Sequence, residues 1–396
     1  MTSIAVAAIT ASVGLSGCND STNSASPDSQ LSSTSAQPTL QVLQTGNYPT
    51  KPQPPRGAAG DGGAIIEAQR MADYVVGPWE VDPNLVARNG STLVLKDAAA
   101  VGVILDSAAA PIVAEHHFVN GFVTERAAAG GTGALKDVRN AVLRFPDQTT
   151  ARSAAAELAQ GLPGPADGAG QQSISIDNHP DTFATASDLP GGTYDVTSWT
   201  PTGPYVIAVA ARTPESRDAS ALLVSKLLDL QVRRISDFEP TDPAEFTQLP
   251  IDPTGLLVRT LPPANAQELP VNAGVWRARA DLHYQANPID EAKLFTAAGV
   301  DAVSVRKTTV YRAKDTEGAD FLADKTAVAV GANAKPTDSV PGLDAAKCFD
   351  AGPDNKLTFR YSCVAPVDRY VVTASSAQSV DVQQQIAAQV MMLVGK

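Results

Sequence analysis

The sequence predicts an α+β fold of two similar halves, each an antiparallel sheet with helices on one face. Three observations point to it. Arg144-x-x-Asp147 returns as Arg312-x-x-Asp315 at an offset of 168 residues, and Tyr205-Val206-Ile207 returns as Tyr370-Val371-Val372 at an offset of 165. Both regions mix short β-branched runs with segments of helical period. Between them lies a proline-rich stretch from Asp237 to Pro270, with prolines at 240, 243, 250, 253, 262, 263 and 270. The competing explanation is a chance likeness between strand-to-helix turns.

Taken in order, Gly62 to Val76 (GGAIIEAQRMADYVV) has the period of a helix that stops at Gly77-Pro78. Leu93 to Leu95, Val101 to Leu105 and Phe118 to Thr124 read as strands. Ala141 to Phe145 reads as a strand followed by Asp147 as N-cap. Ala151, Ala155, Leu158 and Leu162 then recur on one helical face, and Gly161 ends the helix. Tyr205 to Ala210 (YVIAVA) is expected to be a buried strand, entering a helix through Thr213-Pro214 with stripe Ala219, Leu222, Leu223, Leu227 and Leu230. In the second half Val303 to Arg312 is strand-like, and Asp315 opens a short helix ending near Thr326. Leu357 to Val364 alternates, placing Phe359, Tyr361 and Cys363 on one face. After a turn at Ala365 to Asp368 comes the strand Tyr370 to Ala374. A last helix starts near Ser379, with Asp381 in its first turn and Val382, Ile386, Val390, Leu393 and Val394 buried.

The N-terminus carries an address. Ile4 to Leu15 is an apolar run of 12 residues, too short to cross a bilayer core of about 30 Å as a helix but suited to a signal peptide. It ends in Leu15-Ser16-Gly17-Cys18, which resembles the bacterial lipobox and implies a lipidated Cys18 with cleavage before it. An ordinary secretory signal with an incidental cysteine is the alternative. No Lys or Arg precedes the run, which points to a start codon upstream of Met1. From Asn19 to Thr39, 18 of 21 residues are Ser, Thr, Asn, Asp, Gln or Pro. Such a segment buries too little apolar area to offset its ordering entropy and reads as a tether of roughly 25 Å. At about 0.8 kcal/mol per buried methylene, two or three acyl chains anchor firmly. The expected organisation is a signal peptide at 1–17, the lipidated cysteine and tether at 18–45, and α+β domains at 46–245 and 246–396. The expected location is extracytoplasmic, on the cell membrane.

With Cys18 lipidated, Cys348 and Cys363 remain as an even pair for a disulfide in an oxidising compartment. Two free buried thiols are the alternative. The net charge of −12 argues against nucleic acid, which demands clustered Lys and Arg.

Thr45-Gly46-Asn47-Tyr48-Pro49-Thr50, Glu67-Ala68-Gln69-Arg70-Met71-Ala72 and Gly77-Pro78-Trp79-Glu80-Val81-Asp82-Pro83 resemble an actinobacterial (mycobacterial or nocardial-type) cell-envelope lipoprotein family of unknown function. Ile251-Asp252-Pro253-Thr254-Gly255-Leu256 looks like the opening of its C-terminal domain. The resemblance spans nearly the whole mature chain and implies an envelope setting in mycolic-acid bacteria, but no reaction. The end from Tyr370 to Val394 also resembles extracytoplasmic sensor domains of mycobacterial kinases, at the level of fold analogy only.

Catalytic signatures are weak. Glu115-His116-His117 would place adjacent histidines on opposite faces of a strand, and His179 and His283 stand alone. Gly130 to Lys136 lacks the spacing of a phosphate loop. Ser304-x-x-Lys307 falls in a strand pattern, whereas that motif needs one helical turn. Trp79, between a Gly-Pro turn and Glu80, is the one candidate for a ligand groove, with a core plug joining the first helix to the sheet as the alternative. No cofactor and no metal is expected. The leading expectation is a non-catalytic module for an envelope protein or lipid ligand, held between the duplicated halves. The alternatives are a lipid carrier with an apolar cavity and a hydrolase with an unrecognised site.

Overall fold

Runs such as Tyr205-Val206-Ile207-Ala208-Val209-Ala210 carry apolar side chains on both faces of a strand, so their sheet needs cover on both sides. The computed structural model describes residues 43–128, 136–163, 169–264, 272–353 and 359–395, and there the cover takes the form of helices above and below each of two sheets.

The first half contains α1 (Gly63–Ala72), β1 (Ala87–Arg88), β2 (Leu93–Leu95), α2 (Ala98–Ile104), α3 (Ala109–Glu115), β3 (Asn120–Ala127) and β4 (Asp137–Arg144). There follow α4 (Gln148–Gly161), β5 (Ala169–Ile174), β6 (Phe183–Leu189), β7 (Thr193–Thr202), β8 (Tyr205–Thr213) and α5 (Arg217–Ser236). The strands form one sheet in the order β1-β3-β4-β8-β7-β6-β5, with β2 also on β3. Ala151, Ala154, Ala155 and Leu158 of α4 pack on Ala141, Leu143, Val206 and Ala208. Leu223, Val224, Leu227 and Leu228 of α5 pack on Val138, Ile207, Val209 and Ala211, the opposite face.

The second half contains β9 (Gly274–Arg277), α6 (Ala278–Leu282), α7 (Pro288–Ala298), β10 (Ala302–Val305), β11 (Thr309–Arg312) and α8 (Thr316–Gly331). It closes with β12 (Lys335–Thr337), β13 (Lys347–Asp350), β14 (Tyr361–Val367), β15 (Tyr370–Ser376) and α9 (Ser379–Val394). Its strand order, β9-β10-β11-β15-β14-β13-β12, repeats that of the first sheet position for position. Val382, Ile386 and Val390 of α9 cover Val310, Ala365 and Val372, while Leu322 of α8 and Phe295 of α7 lie over Val303, Val364 and Val371.

The repeat read from the sequence falls at equivalent places. Arg144 pairs with Tyr205 across β4 and β8, and Arg312 pairs with Tyr370 across β11 and β15. Asp147 and Asp315 cap α4 and α8 by accepting from Thr150 N and Gly318 N, each at 2.8 Å. The α+β class and the two similar halves stand. Helices on one face do not, because the central strands are apolar on both faces and each face buries a helix.

Other local expectations change for identifiable reasons. Val101 to Leu105 belongs to a helix, since Asp97 caps three consecutive alanines by accepting from Ala100 N at 2.9 Å. The cap of α5 is Ser216 rather than Thr213, which ends β8. Val303 to Arg312 is a hairpin that turns at Arg306 to Thr308. Helix α8 runs on to Gly331, and β14 continues through Ala365 to Val367. His116 and His117 end α3 instead of lying on a strand. Cys18, the segment 19–39 and all but Lys136 of the Gly130–Lys136 run lie outside the described residues. Among the described residues no helix is long and apolar enough to cross a membrane.

The described chain begins on the second half. Leu43 packs against the α9 core, the Tyr48 hydroxyl donates to Asp381 Oδ1 at 2.7 Å, and Gln53 N donates to Val258 O at 2.7 Å.

Cys348 and Cys363 sit directly opposite one another on β13 and β14 and form a disulfide, both side chains buried. It closes a loop with a sequence separation of 15. In the chain-entropy account a loop of that size is worth on the order of 3 kcal/mol. Replacing both cysteines by alanine is expected to lower the free energy of unfolding by about that amount, read from the urea midpoint. An unchanged midpoint would show that the bond adds nothing.

Candidate functional site

Helix α1 presents Ile66, Gln69 and Arg70 at i, i+3 and i+4, one face of a helix. Behind them Glu67 is fully buried and must be satisfied. It accepts from Arg70 Nη1, from Arg144 Nη1 at 3.2 Å and from Thr241 N at 2.7 Å. Arg70 also reaches Thr241 Oγ1 at 2.6 Å and lies over the Phe238 ring. Facing this helix is the edge of the second sheet: Val275, Trp276 and Arg277 of β9, Asp301 and Ala302 at the start of β10, and Arg312 of β11. Arg312 grips Asp301 in a two-pronged ion pair, Nε to Oδ1 at 2.7 Å and Nη2 to Oδ2 at 2.9 Å. That pair holds the guanidinium charged and raises its pKa.

The proline-rich stretch supplies the remaining wall through Leu249, Pro250, Ile251, Pro253 and Thr254. It is held at Thr241 and Thr254 by the equivalent arginines of the duplication. Arg144 Nη2 donates to Thr241 O at 2.8 Å, and Arg312 Nη1 donates to Thr254 O at 3.4 Å. These walls enclose a cleft of about 700 Å³ between the halves, within the size range of small-ligand sites. Its floor is apolar, and Arg70, Arg277 and Arg312 stand around it. Arg277 is the least engaged, 74% exposed and 3.9 Å from Asp73.

The cleft is framed by a rigid junction. Arg126 of β3 is fully buried, makes no ion pair with a carboxylate among the described residues, and donates to Val86 O at 2.9 Å, His283 O at 2.6 Å and Gln285 O at 2.9 Å. Burial first, then Arg88, lowers its pKa to about 10, which leaves it charged at neutral pH. Its guanidinium lies 5.4 Å from the Trp79 ring centre, and Trp79 contacts the His283 ring. Trp79 is thus not the groove residue expected. Only 8% exposed, it joins the core of the second half with Leu282, Phe295 and Val303, and it is not among the residues lining the cleft. It is a plug, though between the halves rather than between the first helix and its sheet.

Cys348 and Cys363 lie toward the sheet edge opposite β9. Ser304 is buried on β10 and accepts from Thr260 Oγ1 at 2.7 Å, with Lys307 in the turn beyond. His116 contacts Glu157 at 2.8 Å and His179 contacts Asp229 at 3.1 Å. Among the described residues no group of three His, Cys, Asp or Glu could hold a metal ion. Nothing local in the sequence marked the cleft, because its walls come from residues more than 200 positions apart; only the proline-rich stretch was visible, as a divider.

Fold and cleft together define a duplicated α+β protein with a ligand-sized space between its repeats. Residues 54–251 match the N-terminal part, and residues 256–396 the C-terminal part, of the family described as Domain of unknown function (DUF7373). The chain belongs to that family. Among curated proteins none matches. Of solved structures, the extracellular domain of PknH from Mycobacterium tuberculosis is similar at 14% identity over 42% of this chain and 96% of that one, with a TM-score of 0.30. A likeness that low carries no argument.

The junction buries two titrating groups of opposite effect. Burial, reinforced by nearby Glu291, raises Asp281 to about 7, while burial lowers His283 to about 4. Between about pH 4 and 7 folded Asp281 keeps a proton that the unfolded chain has released, so its contribution to stability falls as pH rises. Between about pH 4 and 6.5 folded His283 lacks a proton that the unfolded chain binds, so its contribution rises with pH. Asp281→Asn keeps an acceptor for Gln285 and removes only the first effect. The variant is expected to gain stability over the parent progressively from pH 4 to 7, by on the order of 1.4 kcal/mol per unit of raised pKa, and to hold the gain above. A urea-midpoint difference that stays flat across this window would refute it.

Proposed function

We propose that this protein is an exported lipoprotein, anchored through Cys18 to the outer face of a membrane, whose body is a non-catalytic module holding its ligand in the cleft between the halves. The observation that carries the reading is the cleft itself, walled by both repeats and by the segment joining them. Its charged groups are arginines and Asp301, and Asp301 is already committed to Arg312. No lining side chain is placed as a nucleophile with a partnered base, which favours binding over hydrolysis. The space lies between the halves rather than between a sheet and its helices, where a lipid carrier needs room and where alanine-rich α4 packs closely. The Cys348–Cys363 disulfide suits an oxidising compartment, and the lipobox and polar tether supply the anchor.

Two experiments test the two parts. In a host that acylates lipoproteins, labelled palmitate is expected to enter the parent chain and not Cys18→Ala, which should leave the membrane fraction. Equal labelling of both would remove the anchor. Ile251→Trp fills the cleft from a half-buried wall position. After incubation with envelope extract, native mass spectrometry is expected to find adducts on the parent that the variant loses. Identical spectra would remove the cleft as the binding site.

A further inference from the structure

The cleft borders β9, which among the described residues is the edge strand of the second sheet. Val275, Trp276 and Arg277 are consecutive in β9, so their side chains alternate between faces, yet all three line the same cleft. A space that borders the edge of the strand reaches all three, and it continues past the strand ends to Ala302 and Arg312, which stand in cross-strand register with Arg277. Strand β9 is the last in its sheet, so alternate backbone N–H and C=O groups point away from β10. Among the described residues none of these three makes a backbone-to-backbone hydrogen bond outside the pairing with β10. Strand β9 carries no proline, lysine or bulge; its protection is its length of four residues and Gln69 of α1, which donates to Ala273 O at 3.0 Å and so covers only its start. The indole N–H of Trp276, a residue 99% buried, also has no partner among the described residues.

Charge supplies the second constraint. In a chain of net charge −12, the cleft is bordered by Arg70, Arg277 and Arg312 against the one carboxylate of Asp301, so its lining is net positive. The exposed Arg277 is held by Asp73 only at 3.9 Å. An occupant must therefore offer hydrogen-bonding groups at strand spacing, apolar side chains for Ile66, Phe238 and Ile251, and negative charge. An acyl chain has no donor or acceptor along its length and would leave the edge groups dry and unpaired.

Resting on the binding role of the cleft, we propose that its ligand is an extended acidic segment of another polypeptide, which adds a strand to β9 and sets a carboxylate against Arg277. The backbone ladder supplies affinity, and alternate side chains supply selectivity.

The test titrates the purified chain with the capped hexapeptide Val-Glu-Val-Glu-Val-Glu by isothermal calorimetry. Three ligand comparisons accompany it: the same peptide N-methylated at alternate residues, Val-Lys-Val-Lys-Val-Lys, and monomeric palmitate. The acidic peptide is expected to bind saturably, and at least tenfold more tightly than the methylated or lysine forms. Arg277→Glu, at an exposed site with an unchanged thermal midpoint, is expected to weaken it at least tenfold and to improve the lysine peptide. Equal binding of the methylated peptide would overturn strand addition, indifference to Arg277→Glu would overturn the charge match, and saturable palmitate binding that excludes the peptide would make the ligand an amphiphile. If the peptide fails while Ile251→Trp still strips adducts, the cleft remains a binding site and only its ligand class falls. If both fail, the cleft reading falls as well.

Discussion

A positive charge shut away from water constrains everything else in this protein. Arg126 has no ion-pairing carboxylate among the described residues, so oriented dipoles must stand in: carbonyls from both halves take its two Nη groups, and Nε alone is left without a partner there. Removing any one of these carbonyls would strand a buried guanidinium donor, and hydrogen bonds to charged groups are worth about 1.5–3 kcal/mol each. Because the acceptors at His283 and Gln285 follow α6 directly, and β9 leads directly into α6, strand β3 fixes where the edge of the second sheet must lie. Trp79 and Phe122 pack their rings against His283 at the same junction. The walls of the cleft are therefore fixed by the junction itself, and a ligand there, as proposed, would meet little ordering cost.

The duplication reached the cleft unevenly. Arg144 and Arg312 hold equivalent places, but their surroundings have diverged. In the first repeat the guanidinium is buried and shares Glu67 with Arg70, whereas in the second it reaches the surface and takes Asp301 alone. One copy thus became a structural tie and the other a wall of the site. Both still hold the joining segment by a main-chain carbonyl, so between Thr241 and Thr254 that segment is a strut along the cleft.

What the sequence made legible was local. The capping carboxylates Asp147 and Asp315 and the tyrosines that open β8 and β15 are short-range chemistry, and they disclosed the repeat. Helix α7 carries local signals of equal quality. Asn287 accepts from Ile289 N and Asp290 N, Pro288 takes the first turn, and Gly299 adopts a left-handed φ of 63°. Layering was legible only in part: Tyr205 to Ala210 is apolar on both faces of its strand and so calls for cover on both, but which helices supply it is set by packing between distant segments. The cleft was hardest. Its arginines look like ordinary surface charge until α1, β9 and the proline-rich strut are brought together, and Trp79, the residue whose sequence setting suggested a groove, serves the junction beside it.

The strand order has a consequence for how the chain is made. In each sheet the central seam joins strands far apart in sequence, β4 to β8 and β11 to β15, and non-local pairing of this kind is slow to form. The second seam waits for Tyr370–Ser376, and the cover for its apolar face waits for α9, which ends at Val394. A chain emerging from its N-terminus therefore completes the first sheet while the second still lacks its centre. A product cut short before Tyr370 is not a smaller version of the same fold. It carries β11 and β14 as two raw edges over an uncovered apolar surface, a substrate for proteases and for self-association.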